Sequence, residues 1–203
     1  MNAHKNRQRG NEAQPEALAL NYGSRTDVGR VREQNEDSLL VREPLFVVAD
    51  GMGGHEAGEV ASELAVNTMD ALSAPIIDGA TLKNAIIQSN RAIINAARTG
   101  VGRPGMGTTM TTAYVTGTTL FVGQVGDSRA YLLHGGILQQ ITHDHSLMAE
   151  LIEAGQITEE EARVHPNRSI ITRALGNDPA TEPDIFELTV EAGDRLLLCS
   201  DGL

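Results

Sequence analysis

The stretch Leu45-Phe46-Val47-Val48-Ala49-Asp50-Gly51-Met52-Gly53-Gly54-His55 limits the folds open to this chain more than any other. Its apolar, partly β-branched half reads as a buried strand, and that strand stops on an aspartate followed by glycines and a histidine. Residues 56–66 then have helical character, so the segment is strand, glycine turn, helix. Such a strand end presents Asp50 on bare backbone, and a carboxylate beside open carbonyls suits a hard cation or a phosphate. One Asp-Gly pair alone more often means a tight turn without chemistry. Repetition decides the matter.

Two further apolar strands finish in the same way, one on Gly126-Asp127 and one on Asp201-Gly202. Carboxylates at the ends of buried strands are costly when unpaired and mutually repelling, and few lysines or arginines adjoin them. A cluster of divalent cations resolves that conflict. Oxygen-only ligands point to magnesium or manganese rather than zinc, because the chain has one cysteine and no paired histidines at metal-ligand spacing. Before Asp50 lies a densely charged segment, Arg30 to Asp37. It is either a solvated loop or a place where Arg32 meets an anion while Glu36 and Asp37 face a cation.

Composition narrows the function classes. A length of 203 residues without a low-complexity linker fits one domain, residues 18–203, behind a polar, aperiodic and disordered arm at residues 1–17. A formal charge of -11 argues against a nucleic-acid backbone or an anionic membrane surface as the main partner. No apolar run is long enough to cross a bilayer and no signal peptide is recognisable, which implies a cytoplasmic protein. The lone Cys199 can form no internal disulfide and sits in a strand with no phosphate loop after it, a poor setting for a nucleophile.

The remaining pattern is mixed. A first strand is expected at Leu18–Ser24, helices at about Gly58–Leu72 and Ala80–Ala97, and an antiparallel meander from Thr108 to Ile141. The glycines at 100, 102 and 105 spell a dinucleotide fingerprint but follow a helix and precede a strand, the reverse of what that motif needs. Asp144 or Ser146 is the candidate cap of a helix at Leu147–Ala154, and Thr158 has capping-box spacing to Glu161. Residues 165–183 read as an irregular excursion outside the core. Ile185–Val190 and Arg195–Cys199 are the last strands.

Five motifs in order carry a resemblance: Arg32-Glu33-Gln34-Asn35-Glu36-Asp37, Val48 to His55, Gly107-Thr108-Thr109, Val125-Gly126-Asp127-Ser128-Arg129-Ala130-Tyr131 and Cys199-Ser200-Asp201-Gly202. Together they resemble the PPM family, the metal-dependent serine/threonine protein phosphatases of type 2C, in its bacterial branch, from about Tyr22 to the last residue. The resemblance implies an α+β fold, a four-layer α-β-β-α sandwich of two antiparallel sheets flanked by helices, with a flap at about residues 146–176. It implies two or three Mn2+ or Mg2+ ions. Asp50 would bridge two of them, the Gly51 carbonyl would bind one and Asp201 the other, Glu36 and Asp37 would hold metal-bound waters or coordinate directly, and Asp127 would serve the third. Arg32 would bind phosphate and His55 act as general acid. Phosphoserine and phosphothreonine would be hydrolysed by a metal-activated water, reversing a serine/threonine kinase. A non-catalytic phosphatase-like module and a hydrolase of small phosphate esters are the alternatives. Members of the family continue past the position of Leu203 to a further metal-binding aspartate, so these residues alone are expected to bind metal more weakly.

Overall fold

The computed structural model describes residues 18–30, 32–53 and 57–203. Strands β1 (Asp37–Arg42) and β2 (Leu45–Met52) open the larger sheet as an antiparallel pair, followed by helices α1 (Ala57–Asp70) and α2 (Gly79–Thr99). Then come β3 (Gly107–Thr108), β4 (Met110–Thr116), β5 (Thr119–Val125), β6 (Arg129–His134), β7 (Ile137–Gln140), α3 (Leu147–Glu153), α4 (Glu159–Arg163), β8 (Asp184–Thr189) and β9 (Arg195–Cys199). The larger sheet runs β1-β2-β4-β5-β8, with β3 paired to the end of β2, and the smaller runs β7-β6-β9.

The expected single meander is therefore split. β4 and β5 stay in the larger sheet while β6 and β7 cross to the smaller, and β8 and β9 return one to each. The positive φ of Gly126, +100°, lets the chain leave β5 and change sheets. The two sheets bury two cores. Along β2 burial alternates, with Leu45, Val47 and Ala49 on one face and Phe46 and Val48 on the other. The first set joins Ala61, Ala65, Met69, Leu82, Ile86 and Ile93 from α1 and α2. Phe46 instead joins Ala113, Leu120, Val122, Ala130, Leu132, Leu196 and Leu198 between the sheets. Period-two alternation thus sends Asp50 to the same face as Phe46, at the rim of the inter-sheet core.

Helix α2 is bounded as its sequence requires. Asp78 and Thr81 form a reciprocal capping box, and Gly100 ends the helix at φ 79°. Ser146 caps α3, so Asp144 does not, and Thr158 closes the capping box of α4. Leu18–Ser24 forms no strand; Tyr22 nonetheless stacks edge-on against Phe46, with centroids 5.3 Å apart. Residues 165–183 are not merely an excursion. Leu175 is fully buried, and it exchanges two backbone hydrogen bonds with Thr108, at 2.9 and 3.1 Å. Buried Asn90 on α2 holds this segment, accepting from the Gly176 N–H at 2.7 Å and donating to the Asp178 carbonyl at 2.8 Å.

Candidate metal and phosphate site

The acidic strand ends meet at one end of the sandwich. Asp37 stands directly opposite Asp50 in the β1–β2 ladder, which puts both side chains on one face of the sheet. The Ser200 hydroxyl donates to Asp37 Oδ2 at 2.9 Å, and this bond brings the Ser200-Asp201-Gly202 turn from the other sheet against β1. Burial, followed by the charges of Asp37, Asp201 and Asp127, pushes the Asp50 carboxyl up to about 7. Burial and Asp201 push Asp127 up to about 6. Four aspartates, at or beside the ends of β1, β2, β5 and β9, therefore feel one another. The exposed Arg32 guanidinium is the cation that opposes them at Asp50.

The backbone beneath Asp50 is fully tied down. Its N–H donates to Thr109 Oγ1 at 2.9 Å, and its carbonyl accepts from Thr109 N–H and Thr108 Oγ1, each at 2.9 Å. Thr109 Oγ1 also pairs with Ser128 Oγ at 2.7 Å, which links the Asp50 and Asp127 turns. A side chain at Gly51 would run into the backbone carbonyl of Gly58, so the strand end and the start of α1 touch through two glycines. The Gly51 N–H donates to the Glu36 carbonyl at 3.0 Å. The Glu36 carboxylate lies against Gly58, next to the N-terminus of α1.

Arg129, in the same motif as Asp127, is committed elsewhere. It forms a forked pair with Asp144, with contacts of 2.9 and 2.6 Å. Arg32 acts on Asp50 through its charge, against the neighbouring carboxylates. His55 lies outside the described residues. Sequence reasoning missed Thr109, Ser128 and Ser200 as supports of the acids. A usable signal was present, since Thr108, Thr109 and Ser128 are polar residues at the ends of apolar strands, and all three are fully buried.

Among the described residues, no three histidine, cysteine or acidic side chains close into a ready ligand cluster. The donor set is oxygen only, four carboxylates of which Asp50 and Asp127 are raised, and it fits hard divalent cations rather than zinc.

Two antiparallel sheets carrying aspartates at converging strand ends, with an arginine beside them, define a metal-dependent phosphoryl-transfer enzyme. Residues 30–203 match the family described as protein phosphatase 2C. The chain is 43% identical over 192 residues to the serine/threonine phosphatase Stp of Listeria monocytogenes, covering 88% of this chain and 76% of that protein. It resembles the crystal structure of the Mycobacterium tuberculosis serine/threonine phosphatase PstP/Ppp with a TM-score of 0.84 and 44% identity, covering 92% of this chain and 80% of that one. A second solved structure, the catalytic domain of PstP in complex with two manganese ions, matches with a TM-score of 0.79 and 43% identity over 88% of this chain and 76% of that one. The chain belongs to the protein phosphatase 2C family, the metal-dependent serine/threonine protein phosphatases. The expected fold class and activity follow from that membership.

Proposed function

We propose that phosphoserine and phosphothreonine residues of proteins are hydrolysed where Asp37, Asp50, Asp127 and Asp201 converge beside Arg32. The observation that carries this reading is the pairing of Asp37 with Asp50 across β1 and β2, with Ser200 bonded to Asp37 from the opposite sheet. Asp50, the Gly51 carbonyl and Asp201 would hold two divalent ions, with Glu36, Asp37 and Asp127 supporting these or a third. Manganese is favoured by its presence in the PstP relative, and magnesium suits the same oxygen donors. When bound, the ions supply Lewis acidity toward phosphate and a water of lowered pKa.

The chain's own residues do the rest. Arg32 offers a planar, permanently charged donor set to the phosphate oxygens and opposes the excess negative charge at Asp50. The departing serine or threonine oxygen needs a proton, and His55 is the residue that the motif assigns to deliver it. Residues 146–176 form the flap beside the site. We take the substrates to be the products of a serine/threonine kinase in the cytoplasm; among the described residues no helix is long and apolar enough to cross a membrane.

The test is hydrolysis of a phosphothreonine peptide with Mn2+, with Mg2+, and after chelation, beside an Asp50→Asn variant. Hydrolysis that requires the cation and is lost in the variant is expected. Turnover that persists in either control would refute the reading.

A further inference from the structure

His145 lies behind the Gly126-Asp127 turn and is only 8% exposed. Both ring nitrogens are engaged. The Gly126 N–H donates to Nδ1 at 3.0 Å, and Nε2 lies 3.0 Å from Asp184 Oδ2. The acceptor role at Nδ1 fixes the tautomer, so the ring proton resides on Nε2 and is donated to Asp184. Burial supports the same state by lowering the pKa of the ring. The backbone of His145 adds two bonds, donating to the Gly126 carbonyl at 2.9 Å and accepting from the Thr172 N–H at 2.9 Å.

Gly126 is thus held from one side by His145 at both its backbone groups. On the other side it presses on Thr109, since a Cβ at Gly126 would come within 2.6 Å of the Thr109 Cβ. Thr109 in turn accepts the Asp50 N–H. Beyond Asp184 the chain of bonds continues to Arg173, whose Nη1 reaches Asp184 Oδ1 at 2.7 Å. Arg173 and Asp184 line a polar groove of about 660 Å³ that also includes Met52, two residues beyond Asp50.

We infer that His145 is a positioning residue: its Nδ1 acceptor fixes Gly126 and thereby aims the Asp127 carboxylate, while its Nε2 donor anchors the groove wall at Asp184. The inference rests on the reading of Asp127 as a metal-binding residue. The two arms separate by substitution, because an asparagine amide at this position replaces the Nδ1 side of the ring and a glutamine amide the Nε2 side. His145→Asn keeps an acceptor for Gly126, and His145→Gln keeps a donor for Asp184.

The experiment is calorimetric titration of Mn2+ into the wild type, His145→Asn, His145→Gln, Asp127→Asn and the Asp127→Asn/His145→Gln double variant, with urea midpoints recorded for each. His145→Gln is expected to weaken Mn2+ binding about 10-fold, as loss of a residue that orients a metal ligand does. His145→Asn should bind as the wild type does, and the double variant should bind no more weakly than Asp127→Asn. With p-nitrophenyl phosphate, His145→Gln should need more Mn2+ for half-maximal turnover at unchanged KM. The inference is overturned if His145→Asn loses as much affinity as His145→Gln, or if the two substitutions multiply independently. It is also overturned if His145→Gln binds as the wild type does while Asp127→Asn is impaired. Unchanged binding in Asp127→Asn would instead refute the ligand assignment beneath it, and the inference with it.

Discussion

Asp37 and Asp50 face each other across neighbouring strands with no lysine or arginine between them in the ladder, a pairing that two like charges resist. The fold tolerates it because the backbone of Asp50 is secured by Thr108 and Thr109. Replacing Asp50 by asparagine removes the repulsion without changing shape. Asp50→Asn should therefore raise metal-free stability, on the order of 1 kcal/mol after solvent screening, while lowering phosphatase activity by several orders of magnitude. Urea unfolding in chelator beside a peptide-hydrolysis assay measures both. A variant that is less stable and still active would contradict the argument.

The pH dependence of stability follows from the same groups. Asp50 is pushed up to about 7 and Asp127 to about 6, both from an ordinary value of 3.8. Between about 4 and 7 the native protein therefore binds more protons than the unfolded chain, and its stability falls as pH rises through that window. In chelator the melting temperature should be higher at pH 5.5 than at pH 8. Saturating Mn2+ should shrink or reverse the difference, because a bound cation favours the ionised carboxylates. A metal-free protein that gains stability on going to pH 8 would show that these acids are not strained.

Much of this site was legible in the chain. The apolar, partly β-branched run Leu45–Ala49 marked the strand, and the repeated endings on Asp127 and Asp201 pointed to one rim, whereas the face that Asp50 takes emerges only from the burial and pairing of β2. What one strand could not reveal is which sheet its neighbour joins. β6 and β7 left the larger sheet because Gly126 turns the chain there, a consequence of close packing against Thr109 rather than of any local pattern. Leu175 escaped for a related reason, since a residue flanked by prolines and glycines gives no period, yet a single bridge to Thr108 buries it. Glu36 was grouped with the acids by sequence position, and its place against Gly58, at the start of α1, is a contact that only the packing of β2 on that helix creates.

The polar support beneath Asp50 should be more sensitive than its size suggests. In Thr109→Val the volume is nearly kept, but the Asp50 N–H loses its acceptor and Ser128 its hydroxyl partner. Leaving such buried groups unpaired costs about 1–3 kcal/mol. Thr109→Ser keeps both bonds and should lose less than half as much. Chemical denaturation of the two variants checks the ordering, and equal losses would mean that the threonine methyl, not its oxygen, matters.

The contact of β2 with α1 makes the strictest demand. A Cβ at Gly51 meets the Gly58 carbonyl and lies 2.7 Å from the Glu36 carbonyl, and all of these are backbone atoms that cannot rotate away. Gly51→Ala must push α1 off the strand end or displace the loop before β1, both of which carry the site. A loss of more than about 3 kcal/mol is expected, the range reserved for overpacking that the backbone cannot relieve. At Gly58 the nearest obstacle is instead the Glu36 carboxylate, at 2.7 Å, with Gly51 backbone at 2.8 Å. Because the first of these can swing aside, Gly58→Ala should cost less than Gly51→Ala, and thermal melts of the two variants side by side would expose the reverse order if the packing were otherwise.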